Sequence, residues 1–379
     1  MIPYGRHDVE EADVAAVVEI LRGDWLTTGP AVERFEVALT EWTGGVPTVA
    51  VSSGTAALHT AYAAAGIGTG DEVITPPITF VATQAALMHL GATPVFADVQ
   101  PDTALIDPAA VEAAITPRTA AIVAVDYAGH PADMDALSAI AQRHKLLLIE
   151  DAAHSLGSNY RGRPVGALAD ITTFSFFPTK NITSGEGGAV AARDPNIIER
   201  ARRFSRQGIV RDPHQLKAPD EGPWHQEVHH VGLNYRMTDI HAALGLSQLS
   251  RIVDFKARRA QLKFQYDEAL SATPGIDTPT QRPDVEPMWH LYPLRVTATR
   301  RREIFESLRR SGIGVQVNYL PAYRHPALTH LGAPDAFPAS EEFYAREVSL
   351  PIHTQLSSDD LRLVVRGVVR AAARSSGLA

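Results

Sequence analysis

The chain has 379 residues, 45% of them hydrophobic and 21% charged, with a formal net charge of -8. That is a globular composition with room for two domains, or for one large domain with an appendage. The absence of cysteine excludes disulfides, thiolate catalysis and cysteine-ligated zinc or iron–sulfur centres, and the negative charge argues against general nucleic-acid or anionic-membrane binding while leaving room for a local phosphate site. The N-terminus, MIPYGRHDVEEAD, lacks a basic region followed by an apolar run, and no stretch is apolar for the ~18 residues of a membrane span. The expectation is a cytoplasmic protein with neither a membrane nor a nucleic acid as partner.

The opening residues, with Pro3 and Gly5, read as an arm. Asp8 is placed to cap a helix over 9–21, whose apolar positions Val14, Val17, Val18 and Leu21 share a face. GDWLTTGP is a loop, and a second helix is expected over 31–42. From Val46 short apolar runs alternate with helical segments: PTVAVSS, EVITPP, TPVFADV, AAIVAVDY and KLLLIEDAAH read as strands, with helices between them. Repeated strand–helix units specify a parallel sheet covered on both faces, with ligands beyond the carboxyl ends of its strands. A His- and Pro-containing loop spans 207–231, and one long helix is expected over about 237–270, with Thr238 or Asp239 near its start. In the remainder, MWHLYPLRV and VQVNY read as strands and RREIFESLRRSG and LRLVVRGVVRAAAR as helices, which gives a small α+β unit; the last residues, SSGLA, read as frayed. The expected division is 1–250 for the arm and large domain and 251–379 for the small one.

Four strand ends carry residues suited to chemistry. Ser53-Gly54-Thr55 opens a helix, where free N–H groups, the helix dipole and two hydroxyls suit a phosphate; a cap with no ligand is the plain alternative. Phe80 follows Pro76-Pro77, where a flat ring has either a planar ligand or the core to lie against. Glu150-Asp151-Ala152-Ala153-His154 puts at least one carboxylate at the sheet rim, where it requires a partner. A pyridinium nitrogen is one such partner; a metal is a rival lacking further ligands at suitable spacing, and an Asp capping the next turn is common. The stretch TTFSFFPTKNITSGEGGAV at 172–190 sets Lys180 among aromatic residues, hydroxyls and glycines. Poor solvation there favours the neutral amine that a Schiff base with an aldehyde cofactor needs, although a surface lysine on a turn has the same local sequence. His225, His229 and His230 read as solvated loop histidines, and no metal is expected.

The motifs WLTTGP, SSGTAALH, ITFVAT, IEDAAHSLGS, FSFFPTKNITSGEGGAV and GLNYRMTDIHAALGLSQL occur in order over nearly the whole chain. In these the sequence resembles the DegT/DnrJ/EryC1/StrS family of pyridoxal-phosphate-dependent sugar aminotransferases. The resemblance implies the α/β fold of aspartate aminotransferase (fold type I), with a mainly parallel sheet in a large domain and a smaller α+β C-terminal domain. It also implies roles by position. Lys180 matches the lysine that binds the cofactor aldehyde and shuttles a proton, Asp151 the acid on the pyridine nitrogen, His154 its neighbour near the phenolic oxygen, and Phe80 the stacking ring. Ser53, Gly54, Thr55 and Ser175 fall at the phosphate. Asn234 matches an asparagine reaching that phosphate from the other subunit of a homodimer with shared sites. Relatives with His at the Lys180 position remove a hydroxyl instead, so the lysine implies transamination. MIPYGR, DWLTTGP and GIGVQVNYLPAYRHPAL look most like enzymes aminating C4 of UDP-4-keto-6-deoxy-N-acetylhexoses, with L-glutamate as donor and pyridoxamine phosphate between the two halves of the exchange. Relatives read GVQVHY where this chain has GVQVNY. Thr28, Arg211, Tyr319 and His325 are the expected contacts to the nucleotide sugar. The alternatives are a 3-keto sugar, a keto-cyclitol, or a non-catalytic cofactor-binding regulator.

Overall fold

The computed structural model describes residues 1–373, so the closing SSGLA lies outside the described residues. Two helices, α1 (Glu11–Arg22) and α2 (Pro30–Trp42), lead into an alternating run. It comprises β1 (Thr48–Val51), α3 (Gly54–Ala65), β2 (Glu72–Thr75), α4 (Ala82–His89), β3 (Thr93–Phe96), α5 (Pro108–Ala114), β4 (Thr119–Val125), α6 (Met134–His144) and β5 (Leu147–Asp151). Short strands β6 (Asn159–Tyr160) and β7 (Arg163–Pro164) precede the hairpin of β8 (Ile171–Ser175) and β9 (Gly188–Ala192). Next come α7 (Pro195–Phe204), the small hairpin β10 (Ile209–Val210) and β11 (Glu227–Val228), α8 (Asp239–Leu249) and α9 (Ile252–Leu270). The last part holds β12 (Ile276–Asp277), β13 (Val285–Glu286), β14 (Tyr292–Val296), α10 (Arg301–Arg310), α11 (Pro338–Arg346), β15 (Glu347–Leu350) and α12 (Ser358–Ala373).

Seven strands make the central sheet, in the order β1-β9-β8-β5-β4-β2-β3. The five strands expected from sequence point the same way, as does β8; β9 alone is reversed, antiparallel to both β8 and β1. Its reversal comes from connectivity, because β8 and β9 are joined by the loop 176–187 rather than by a crossover helix. The strands are apolar on both faces. Val49, Val73, Ala121, Val123, Ile149 and Val190 pack into a core under α3, α4 and α7. The alternating residues Ala50, Ile74, Ile122, Ala124, Leu148 and Ala189 pack with Phe35 and Leu39 of α2 and Leu137 of α6. This double covering leaves the strand ends as the place for polar groups.

The long helix expected over 237–270 is broken at Ser250-Arg251 into α8 and α9. The Arg251 guanidinium turns back to the buried Asp13 carboxylate and the Asp8 carbonyl, and the backbone kinks with it. Thr238 does cap α8, its hydroxyl accepting from His241 N–H at 3.2 Å. Asp239 instead accepts from Gly29 N–H at 2.8 Å and Ala31 N–H at 2.9 Å, and so holds the start of α2. Asp8 is likewise no helix cap: α1 begins at Glu11, and Asp8 accepts from Thr354 Oγ1 and Gln355 Nε2 at 2.7 and 3.1 Å, tying the arm to the C-terminal part. VQVNY is not a strand. Gln316 makes one bridge to Ser349, while the regular third strand is EVSL of β15, which pairs with β14 on one side and meets Gln316 on the other. With α9, α10 and α12 the sheet β12-β14-β15 has a core of its own, including Leu262, Tyr266, Leu294, Leu308 and Val364.

Adjacent residues of β5 face opposite sides, so Asp151 looks toward the strand-end cavity while Glu150 enters the core beside Asp126. Both Glu150 and Asp126 are fully buried, and burial pushes both carboxyls up; the Glu150 charge adds to the rise of Asp126, whereas the hydrogen bond from Asp126 opposes that of Glu150. A carboxyl raised in the folded state keeps its proton where the unfolded chain has lost it, so stability falls as pH rises from the ordinary carboxylate range toward neutrality. Glu150→Gln, neutral throughout, is expected to lessen the decline in Tm between pH 5 and pH 8, as measured by thermal unfolding at each pH.

Candidate active site

The carboxyl ends of the parallel strands open on a cavity of about 430 Å³. One wall is the first turn of α3. Ser53 is its N-cap, the hydroxyl accepting from Ala56 N–H at 3.1 Å, while the N–H groups of Gly54 and Thr55 point out of the helix start without an acceptor among the described residues. The hairpin lies hard against this turn. A Cβ on Gly54 would stand 2.7 Å from Ser175 Cβ, and one on Gly188 would stand 2.4 Å from the Ser53 carbonyl oxygen. Only glycine at both places allows the contact.

Lys180 projects from the hairpin loop, which is pinned at several points. Phe176 N–H donates to Gly187 O at 2.9 Å, Thr183 Oγ1 to Phe176 O at 3.1 Å, and Asn181 Nδ2 to His154 O at 2.6 Å. Phe174 and Phe176 are buried beneath the loop, whereas Phe177 is half-exposed at the cavity. Burial lowers the Lys180 amine to about 8, with Asp151 opposing the shift. Asp151 accepts from Thr83 Oγ1 at 2.8 Å and from Ala153 N–H at 3.2 Å; burial raises its carboxyl against these donors and Lys180.

His154 is 5% exposed, with Nε2 3.2 Å from the Tyr319 hydroxyl and its ring 4.3 Å from that of His290. Nδ1 of each histidine has no partner among the described residues, and burial beside Lys180 pushes both imidazoles well below the usual range, so both are neutral. Phe80 is 59% exposed at the cavity mouth, edge-on to Tyr319 at 6.2 Å.

Ser53, Gly54, Thr55, Phe80, Asp151, His154, Ser175, Lys180 and Tyr319 therefore line one cavity. Thr28 and Arg211 line a different cleft of about 1050 Å³, together with Arg202, Arg206 and Arg236. Asn234 is exposed and bridges Arg206, next to that cleft and outside the cavity of its own chain. His325 lines neither: its segment is held at the sheet edge by the apolar cluster of Phe96, Ala322, Tyr323 and Leu328. Among the described residues no group of three or more His, Asp or Glu is arranged to hold a metal. Sequence reasoning missed Thr83, Tyr4 and His290. Thr83 had a signal, standing one helical turn beyond Phe80; Tyr4 in an irregular arm and His290 in an apolar strand had none.

Comparison with known proteins matches residues 7–369 to the model of the DegT/DnrJ/EryC1/StrS aminotransferase family. The chain belongs to that family. It is 39% identical over 374 residues to the spore coat polysaccharide biosynthesis protein SpsC of Bacillus subtilis, covering 97% of this chain and 96% of that one. Among solved structures it is similar to Helicobacter pylori PseC, an aminotransferase of pseudoaminic acid biosynthesis, at 33% identity and a TM-score of 0.92 over 98% and 99% of the two chains. It is also similar to the aminotransferase TlmJ of Streptoalloteichus hindustanus, at 31% identity and a TM-score of 0.93 over the whole of both chains. This DegT/DnrJ/EryC1/StrS protein is thus a pyridoxal-phosphate-dependent sugar aminotransferase. Its cavity fits the cofactor: a glycine-dependent helix N-terminus for a phosphate, a buried carboxyl with room for another donor, and a sheltered lysine amine for an aldehyde.

The lowered Lys180 pKa means that the neutral, nucleophilic amine becomes the major form above about 8. The rate at which cofactor-free protein takes up pyridoxal phosphate should rise through that pH and level off, followed by absorbance, with Lys180→Arg giving no such phase. Gly54→Val should weaken phosphate-dependent retention by roughly tenfold or more, measured by dialysis, because its side chain occupies the space of Ser175.

Proposed function

We propose that the chain transfers the amino group of L-glutamate to C4 of a nucleotide-linked keto-deoxy sugar, a UDP-linked 4-keto-6-deoxy-N-acetylhexose. The observation that carries the reading is a desolvated Lys180 amine in the same cavity as a buried Asp151. PseC is the relative whose named pathway favours this sugar. When bound, pyridoxal phosphate supplies a carbonyl that takes the amino group and a conjugated ring that stores an electron pair. Ser53, Gly54, Thr55 and Ser175 would hold the phosphate, Phe80 would shelter the ring, and ionised Asp151 would hold a proton at the ring nitrogen. Neutral His154 donates or accepts at the ring oxygen without adding charge. Lys180 Nζ takes the proton from the donor α-carbon and, in the second half, returns one to the sugar carbon.

The second cleft supports a homodimer. Arg206, Arg211 and Arg236 form no ion pair within 4 Å among the described residues, although the chain is negative overall and Glu36 and Glu199 act on Arg206 from farther off. Such a cluster suits a diphosphate. In a two-fold dimer, Asn234, Thr28 and Arg211 of one subunit complete the cavity of the other, with Asn234 at the cofactor phosphate and Arg211 at the nucleotide. The division into an N-terminal unit over 1–250 and a small unit over 251–379 is supported by the helix break at Arg251 and the separate core of β12, β14 and β15.

Lys180→Ala should abolish turnover with every keto sugar, including 3-keto sugars and keto-cyclitols that probe the position aminated. Mixing it with inactive Asn234→Ala should restore about a quarter of wild-type activity, since one site in each hybrid dimer is intact. Failure of the mixture to recover any activity would remove Asn234 from the shared site; turnover of only a 3-keto sugar would move the reaction from C4.

A further inference from the structure

The segment in which this chain carries Asn318 crosses the cavity wall, and its polar contacts form one connected chain. Asn318 Nδ2 donates to Tyr4 Oη at 2.6 Å and to Ser349 Oγ at 3.0 Å, so both amide hydrogens are directed at protein oxygens. Ser349 Oγ donates in turn to Glu347 Oε1, and the other Glu347 oxygen accepts from Asn318 N–H at 2.7 Å. Tyr127 Oη donates to the Asn318 carbonyl. Glu347 and Ser349 are fully buried in β15, whereas Asn318, Tyr4 and Tyr319 line the cavity.

We propose that Asn318 reads the acceptor sugar, and that Glu347, acting through Ser349, decides which end of the Asn318 amide does the reading. The direction of each hydrogen bond is set by what its neighbour can do. An ionised carboxylate only accepts, so the Ser349 hydroxyl must donate to it and is left to accept from Asn318 Nδ2. The amide oxygen of Asn318 is then free for a donor on the sugar, a hydroxyl or an N–H. A protonated Glu347 donates to Ser349, whose hydrogen turns toward Asn318 or toward Tyr4, which also bonds Ser349 and can itself donate to the amide. The amide is then favoured in the opposite orientation, with its NH2 group free. Glu347 is thus a positioning residue and Asn318 the group that touches substrate.

Burial raises the Glu347 carboxyl to about 8, opposed by Ser349, Asn318 N–H and Arg301 of α10. The other titratable groups facing it are Tyr4 of the arm, Tyr127 beyond β4 and Tyr319, with Arg259 of α9 acting on Tyr4. The three tyrosines are all pushed up by burial and stay neutral, so Glu347 is the member of the chain that changes charge near neutral pH. The ionised, acceptor-presenting state belongs to pH above about 8.

The proposal rests on the sugar-aminotransferase reading, and the experiment separates the two. With UDP-4-keto-6-deoxy-N-acetylhexose as probe, the wild-type KM should fall by roughly two- to tenfold as pH rises from 7 to 9, the worth of one hydrogen bond. Glu347→Gln, a permanent mimic of the neutral acid, should hold the high KM throughout. Ser349→Ala should lose the inflection while retaining the carboxyl, visible as a protonated-acid infrared band that titrates near pH 8 and is missing in Glu347→Gln. Lys180, lowered into the same range in the cofactor-free protein, acts on the transfer steps and hence on kcat, so the comparison is between KM profiles, and kcat of both variants should follow the wild-type profile. If Glu347→Gln fails to fold, the Ser349→Ala profile and the wild-type band decide. An unchanged KM inflection in the variants, an absent band, or an Asn318→Ala enzyme with wild-type KM overturns the proposal alone. A wild-type protein that reacts with glutamate yet turns over no nucleotide sugar overturns the function reading and this proposal with it.

Discussion

The approach of the β8–β9 hairpin to the first turn of α3 is the contact on which the rest of the site depends. Gly54 against Ser175 and Gly188 against the Ser53 carbonyl bring two backbones closer than any side chain permits. That contact aims the unpaired N–H groups of α3 at the cavity and fixes where the loop carrying Lys180 starts and ends. A crossover helix in place of the hairpin would put the residues after β8 on a face of the sheet. The reversed β9 keeps them at its edge, beside Asp151 of the neighbouring β5.

The second constraint is electrostatic. Lys180 and Asp151 are both buried at the strand ends, so the charge state of each depends on the other. Lys180 is driven toward neutrality and Asp151 toward protonation, yet each partly restores the charge of the other. The histidines, whose unpartnered Nδ1 atoms mark them as sheltered from solvent, stay neutral and add no charge to the cavity. A cavity that discourages a protonated lysine while tolerating one carboxylate has a place for one further cationic group, which a protonated ring nitrogen supplies.

Much of this was visible in the sequence because it depends on local pattern. Strand–helix alternation placed all five expected strands, and the polar and aromatic residues beyond their carboxyl ends, from Ser53 to His154, meet with Lys180 in one cavity. What escaped depended on distant partners. The break at Arg251 comes from Asp13, far away in the chain; the place of Asp239 comes from the start of α2; the third strand of the small sheet is EVSL because Val348 and Leu350 are fully buried in a core built by α10 and α12. VQVNY has equal strand propensity, but its residues are committed elsewhere: Asn318 to Tyr4 and Ser349, and Tyr319 to His154. His325 follows the cluster around Tyr323 at the sheet edge and lies outside the two clefts lined by the other expected contacts.

The cavity walls have separate origins, and this bears on how specificity is distributed. The cofactor-side wall comes from β1, β5, β8 and the hairpin loop, all parts of one rigid sheet whose residues cannot shift without disturbing two cores. The opposite wall comes from the arm, through Tyr4, and from the small sheet and its preceding segment, through Asn318 and Tyr319. Those pieces are joined to one another by side-chain bonds such as Asp8 with Thr354 and Asn318 with Ser349, and by the bridge of Ile2 with Ile313. Changes on that wall therefore alter what the cavity accepts without moving Lys180 or Asp151. The side chains around Lys180 are held by backbone packing, where few substitutions fit, whereas the opposite wall is held by exchangeable polar contacts. The amino-transfer reaction is accordingly readable from Lys180 and its neighbours, whereas the sugar has to be sought at Asn318 and the residues that orient it.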